Sequence, residues 1–382
     1  MTRALLQRNG IAPRPILTDG ERRTLDDHLT GALDWITRAH AAVDDGGLSK
    51  GYHVIRNFWF PSYPETTGYT IPTLLNAASA LGQPHLRDMA LSLAEYLLSS
   101  VTAEGGIVHW RDRGEPVVFD TGQVMFGWLA AFDATGESRY LEAATRAGDW
   151  LVSVQDPSGA WRRFQYLGVT KVIDTRVAWA LLELSRRTGR PLHYEEAAER
   201  NLAWAITQQQ ENGWFRCCAF REAEDPLTHT LAYTAEGLLE SGLLRGENRY
   251  VDAARRTADA LLACQRPDGS LASTYSAAWR ATRRSSCLTG NCQVSRLWLC
   301  LYELDGRDSY LTAARRAIDF VAGTQDLETA RLDVRGGIAG SHPIYGRYER
   351  FKYPNWAAKF FVDALLTIGR LATGGELLPY AG

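Results

Sequence analysis

No run of about 18 apolar residues occurs in this 382-residue chain, so no membrane-spanning helix is expected. Neither sign of charge dominates. The 42 Lys and Arg against 44 Asp and Glu leave a net charge of −2, with no basic stripe, which argues against nucleic acid as a partner. The cluster Arg280, Arg283, Arg284 is short and reads as a solvated loop. Neither the G-x-x-x-x-G-K-[ST] motif nor a Rossmann fingerprint is present, so no nucleotide cofactor is expected. The six cysteines follow no framework spacing and several fall in helical segments, which fits a reduced, cytoplasmic protein. The opening stretch MTRALLQRNGIAPRPILTDGERR has no continuous apolar core of the kind a signal peptide needs.

What the chain has is a period. Six helix-like segments each begin at a polar or aromatic cluster: TTGYTIPTLLNAA after Glu65, DTGQVMFGWLAAF at Asp120, DTRVAWALLEL at Asp174, LTHTLAYTAEGLLE at Leu227, LTGNCQVSRLWLCLYEL at Leu288 and PNWAAKFFVDALL at Pro354. Their starts are about 53 to about 66 residues apart, a spacing typical of stacked or closed helical arrays. Six other segments alternate with them, expected over roughly 20–43, 85–101, 138–154, 194–208, 249–264 and 309–323. RYLEAATRAGDWLVSVQ, RYVDAARRTADALLACQ and SYLTAARRAIDFVAGTQ show their common texture. This second set carries Arg and Glu on one face and reads as outer helices. The first set is apolar nearly all round and reads as buried inner helices.

Links from inner to outer helices are short (ALGQPH, DATGESR, RGENR), whereas outer-to-inner links such as 46–64, 105–119 and 156–173 are long. Long loops in a compact array carry function. The expected architecture is therefore all-α: one (α/α)6 toroid over 1–382, with 1–19 as a non-repeat arm and the long loops gathered at the rim where the inner helices start. An open superhelix of helix pairs is the alternative, but it needs polar ends, and the last inner helix is very apolar.

With the turns DPSGAW (Asp156 to Trp161) and NGW (Asn212 to Trp214), and the strings PSYPETTGY, PLTHTLAYT, CLTGNCQ and KYPNWAAKFF, the chain resembles the six-hairpin glycosidase and squalene-cyclase/prenyltransferase-like toroids. Within these it resembles bacterial members associated with polysaccharide or secondary-metabolite biosynthesis. The resemblance covers nearly the whole chain and implies the fold; the same fold hosts hydrolases, lyases, epimerases and cyclases, so it does not select a reaction. The acidic D-x-D-D motif of class II terpene cyclases and the Asp-rich diphosphate motif of class I enzymes are both absent.

Candidate site residues follow from position. Glu65, Asp120 and Asp174 fall at inner-helix starts, where they could serve as helix caps, as acceptors for sugar hydroxyls, or as a glycosidase acid and base. His229 and Tyr233 are one helical turn apart and could move a proton at a carbon beside a carboxylate. Asn291, Gln293, Arg176 or Lys359 would hold that carboxylate, with Glu236 beside them; toroid-type uronate lyases resemble this residue set. Gln123, Asn355 and the aromatics Trp59, Tyr63, Tyr69, Tyr353 and Trp356 complete the expected substrate surface, within a loop-borne aromatic set that also includes Trp110, Tyr166 and Tyr348. Cys217, Cys218, Cys287, Cys292, His229 and His342 do not form the Cys-beside-His pattern of zinc cyclases, and no metal is expected. The resulting expectation is a metal- and cofactor-free enzyme acting on a sugar or uronic-acid-containing small molecule or oligosaccharide. Lyase or epimerase chemistry is preferred to hydrolysis. A secondary-metabolite cyclase or isomerase, or a non-catalytic carbohydrate- or peptide-binding toroid, are the alternatives; the sequence does not define an oligomeric state.

Overall fold

A computed structural model describes residues 23–109, 114–189 and 191–373. The expected arm 1–19 and Trp110 lie outside the described residues. Among those residues are twelve α-helices: α1 Leu25–Ala41, α2 Pro64–Leu81, α3 Pro84–Leu98, α4 Val118–Thr135, α5 Ser138–Ser153, α6 Thr175–Ser185, α7 Pro191–Thr207, α8 Thr228–Arg245, α9 Asn248–Cys264, α10 Leu288–Asp305, α11 Asp308–Ala322 and α12 Asn355–Thr373. The first begins later than the period suggests because Thr24 and Asp27 form a capping box, with Asp27 N–H donating to Thr24 Oγ1 at 3.1 Å and Thr24 N–H to Asp27 Oδ2 at 3.0 Å.

Even-numbered helices are the inner ones. α4 is buried from Val118 continuously to Ala131, whereas α5 buries only Tyr140, Ala143, Ala144, Ala147, Gly148, Trp150 and Leu151, a one-sided pattern. The inner helices pack in sequence, α2 on α4, then α6, α8, α10 and α12, and α12 returns to α2 while α1 lies on α12. The ring is therefore closed, and the open superhelix is excluded. Thr73 on α2 donates to Asp363 on α12 at 2.7 Å across this junction.

One device recurs around the outside. Gln155, Gln209 and Gln265, each just after an outer helix, donate from Nε2 both to a loop glycine carbonyl four residues on and to a carbonyl of the next outer helix (Ala197, Ala253 and Ala313, at 2.7 to 2.8 Å). The glycines in these loops, Gly159, Gly213 and Gly269, have positive φ, and a Cβ there would fall within 2.6 Å of a backbone oxygen of the neighbouring helix. Gln325 repeats the arrangement, donating to Gly336 O at 2.6 Å and to His28 O at 3.2 Å. The last outer helix is thus joined to the first as every other pair is joined.

Four inner-to-outer turns end in left-handed glycines (Gly82, Gly136, Gly246, Gly306), which lets the chain reverse sharply. The long loops all lie at the rim where inner helices begin. Two small antiparallel sheets bind them together. In the first, β1 (Gly51–His53) pairs with β2 (Phe58–Trp59) and with β5 (Lys352–Pro354), joining the first rim loop to the last. In the second, β3 (Ser286–Cys287) pairs with β4 (Ser341–His342). None of the described helices is long and apolar enough to cross a membrane.

Candidate active site

The rim loops enclose a cavity of about 530 Å³ over the inner-helix starts. One end gathers carboxyl groups. On α4, Asp120 accepts His109 Nδ1 at 2.9 Å, both side chains being buried. On α2, Glu65 accepts the Tyr63 hydroxyl. Ahead of α6, Asp174 accepts Gln165 Nε2 at 2.8 Å, while its buried Oδ1 has no hydrogen-bond partner among the described residues. Asp174 is the N-cap residue of α6, yet its side chain caps no backbone N–H, so capping does not account for it.

The loop before α6 is tightly wound. Phe164, Leu167 and Gly168 all have positive φ, and the Lys171 ammonium donates to Tyr166 O at 2.5 Å and Val169 O at 2.6 Å. This folds Lys171 inward, where its charge acts on both Asp174 and Asp120. Burial raises Asp174 to about 7 against the pull of Lys171 and Gln165, and lowers Lys171 to about 8 against the two aspartates. Burial also raises Asp120, opposed by His109, and lifts Glu65 well above the carboxylate range, reinforced by the Asp120 charge.

The other end is aromatic. His229 and Tyr233 project together from α8 with ring centroids 4.3 Å apart, and Tyr348 lies 5.4 Å from the His229 ring. His229 Nδ1 is 2.6 Å from Gln293 Oε1, an arrangement that makes Nδ1 the donor and Nε2 the basic nitrogen. Burial lowers His229 to about 4, so the ring is neutral at neutral pH. Trp356 donates to the Tyr348 hydroxyl at 2.7 Å and carries the Lys50 ammonium 4.7 Å from its ring centroid. Lys50 and Lys352 both grip Glu349, at 3.1 and 2.7 Å; burial opposes its charge, but the two ammonium groups hold it down at about 2.

Of the residues expected from sequence, Glu65, Tyr63, Tyr69, Asp120, His229, Tyr233 and Trp356 line the cavity, and Asp174 lies directly behind its wall. Tyr166 and Tyr348 of the loop-borne aromatic set line it too, whereas Trp59, Gln123, Arg176, Glu236, Asn291, Gln293, Tyr353, Asn355 and Lys359 do not. Gln123, Arg176 and Glu236 form a buried network below the floor. Arg176 Nε donates to Gln123 Oε1 at 2.8 Å, and Glu236 is held by both Arg176 and Arg296. Asn291 accepts Leu271 N–H at 2.9 Å and donates to Cys287 O at 2.7 Å; Asn355 donates to Ser49 O and Thr66 Oγ1, each at 2.8 Å. Lys359 pairs with Asp363 at 2.8 Å. Gln293 stands behind His229, Tyr353 faces Tyr52 across the sheet, and Trp59 packs on Trp35 and Tyr52. A carboxylate clamp of Asn291, Gln293, Arg176 and Lys359 does not line the cavity, because Asn291 engages backbone groups and the others engage His229, Gln123, Glu236 and Asp363.

Sequence reading missed the cations and His109. Lys50, Lys171, Arg221, Arg283, Arg347 and Lys352 all line the cavity. Arg283 corrects the solvated-loop reading of its cluster, since its loop turns it into the cavity while Arg280 and Arg284 remain exposed. The one available signal was their placement in long rim loops. All six cysteines are free; Cys218 lies 3.6 Å from Thr234 Oγ1, and Cys287 accepts Gly290 N–H. Among the described residues, no three His, Cys, Asp or Glu side chains converge as a metal site.

No protein-family model and no curated protein sequence matches the chain. Solved structures do. An unsaturated glucuronyl hydrolase specific for heparin superposes with a TM-score of 0.73 at 13% identity, over 91% of this chain and 98% of that one. The unsaturated glucuronyl hydrolase of Bacillus sp. GL1, responsible for degradation of glycosaminoglycan, gives 0.72 at 14% identity over 92% and 97%. Cellobiose 2-epimerase from Bacillus thermoamylovorans B4167 gives 0.70 at 13% identity over 89% and 97%. Closed ring, alternating helices and superposition over about nine-tenths of the chain together establish that this chain has the (α/α)6 toroid fold that these structures share.

Proposed function

We propose that this protein is a carbohydrate-active enzyme that hydrolyses a saccharide by carboxyl acid–base chemistry, without metal or cofactor. The observation that carries this reading is the pair Asp120 and Asp174, two buried carboxyl groups acting on one lysine, Asp120 lining the cavity and Asp174 directly behind the wall that Gln165 and Lys171 form, with burial raising Asp174 to about 7. A carboxyl group that keeps its proton at neutral pH can act as general acid, and a second, ionised one can act as base. Asp174 would protonate the departing sugar oxygen as the C–O bond breaks. Asp120, oriented by His109, would take a proton from the attacking water. Glu65, Tyr63 and Tyr166 would bind hydroxyls, and Trp356 and Tyr348 would pack on a sugar face. The similar folds named above, two hydrolases and an epimerase of sugars, support a saccharide substrate.

A second reading keeps the lyase or epimerase chemistry preferred from sequence. The neutral His229 imidazole and the Tyr233 phenol beside it line the same cavity and could exchange a proton at carbon. The carboxyl pair is favoured because Asp120 lines the cavity and Asp174 adjoins its wall through Gln165 and Lys171, whereas Arg176, Lys359 and Asn291, the carboxylate holders that the lyase reading requires, are paired inside the ring. A cytoplasmic location, and a place in polysaccharide or secondary-metabolite biosynthesis, belong to the same proposal.

A panel of neutral and uronic-acid oligosaccharides tests the saccharide claim by thermal shift and product analysis. A ligand at 100 times its Kd adds about 2.7 kcal/mol of stability. A saccharide that both stabilises the protein and is cleaved supports the proposal. No stabilisation and no product across the panel overturns it.

A further inference from the structure

Among the cavity's cations, most already have anionic company. Lys50 and Lys352 hold Glu349, Lys171 faces Asp120 and Asp174, and Arg221 lies 3.9 Å from Glu224. Arg283 and Arg347 differ, with no carboxylate within ion-pair distance among the described residues. Both line the main cavity, and both also line a side recess of about 350 Å³ that they share with Thr274, Thr282 and Asp225.

Their convergence is built in. The two arginines are far apart in sequence, on loops that the β3–β4 pairing brings together. Gly346, next to Arg347, is seated so closely that a Cβ there would lie 2.6 Å from Ser341 and 2.9 Å from Ser285, two residues after Arg283. The Thr274 and Thr282 hydroxyls, 2.8 Å apart, add neutral donors to the same wall. Arg283 is half-buried and Arg347 exposed, so both guanidinium groups are open to a ligand from solvent. Asp225 subtracts one charge and leaves the recess net positive. Guanidinium groups supply paired N–H donors that match the oxygens of sulfate, phosphate or carboxylate.

We infer that the Arg283–Arg347 recess, whose lining shares no residue with the Asp120–Asp174 end, binds an oxyanion substituent of the substrate, which is then an acidic saccharide. This deepens the saccharide reading and rests on it. The arginines are specificity determinants and take no part in bond cleavage.

Binding is measured for wild type and the double variant R283Q/R347Q by calorimetry. The probes are a neutral disaccharide, its sulfate-, phosphate- and carboxylate-bearing counterparts, and inorganic sulfate and phosphate alone. The expected result is at least a tenfold preference of wild type for one or more anionic disaccharides, falling to near unity in the double variant with its melting temperature unchanged; the disaccharide preferred identifies the oxyanion. Equal preference in both proteins, or none in wild type, overturns the inference. If no saccharide binds, the saccharide reading fails; inorganic anion binding lost in the double variant would still uphold an anion recess, and anion binding unaffected by it would overturn that too.

Discussion

His109 Nδ1 lies 2.9 Å from Asp120 Oδ2, and both side chains are buried at the same end of the cavity. The ring is held on its other sides by Tyr63 and Tyr166, with centroids 5.1 and 4.9 Å away. His109 can therefore orient the carboxylate but has little freedom to leave it. D120N should lower kcat by about 10² to 10⁴, the usual contribution of an acid–base group. H109A should lower it less, by roughly tenfold to a hundredfold, since it removes orientation and not the reacting group. Steady-state kinetics with melting curves checks both; a D120N enzyme with wild-type kcat would remove Asp120 from the reaction.

Asp174 makes a pH prediction with a definite sign. Its folded-state pKa is raised to about 7 from an ordinary 3.8, so between about pH 4 and 7 the folded protein holds a proton that the unfolded chain has released. Stability from this group is full below pH 4 and is lost as pH rises to 7. Lys171, lowered to about 8 from 10.5, acts in a separate window: the folded state releases its proton first, and stability returns between about pH 8 and 10.5. D174N should therefore be inactive yet melt higher than wild type at pH 7, by roughly 2 °C or more, with the difference vanishing near pH 4. Wild-type activity should fall above about pH 7 as the acid ionises. Paired melts and rate profiles across pH 4 to 9 read both effects, and a D174N protein less stable than wild type at pH 7 would contradict the burial argument.

His229 separates the two chemistries. If carboxyl groups do the work, H229N and Y233F should alter kcat by less than tenfold and act mainly on KM, because these rings line the binding end. If proton transfer at carbon is the reaction, either change should cost about 10² or more. Solvent deuterium incorporation at a sugar carbon, followed by mass spectrometry, distinguishes the two independently of rate: label at carbon marks proton transfer there, and its absence marks hydrolysis.

The period of the chain was legible because each repeat must bury an apolar inner helix, and burial leaves an all-round apolar signature. The carboxylates were legible for a related reason: Glu65 and Asp120 are polar residues at helix starts that otherwise run straight into the core. That same cue also selected Arg176, Glu236, Asn291, Asn355 and Lys359, which turn sideways or downward to pair within the ring. Position near a helix start sets depth, whereas the facing direction depends on ring packing that one helix does not encode. His109, Lys50, Lys171 and Arg347 left no periodic trace, since loops carry none. They reach the cavity through the β1–β5 and β3–β4 pairings and the wound turn at Phe164 to Gly168.

Gln325 clasps the last rim loop to the first outer helix. Its Oε1 is 2.5 Å from His28 Nδ1, and its Nε2 serves both His28 O and Gly336 O. Q325A leaves buried groups on α1 and the last rim loop unsatisfied, which should cost about 2 to 4 kcal/mol. Chemical denaturation measures this, and hydrogen exchange should show α1 opening before the other outer helices. An unchanged midpoint would mean that the clasp contributes nothing to closure.

The central claim is tested most directly by incubating the protein with uronic-acid disaccharides in ¹⁸O-labelled water and weighing the products. Hydrolysis by the Asp120–Asp174 pair predicts cleavage with one labelled oxygen incorporated per bond broken, and loss of that product in both D120N and D174N. Cleavage that persists in both variants, or product formed without label, would contradict it.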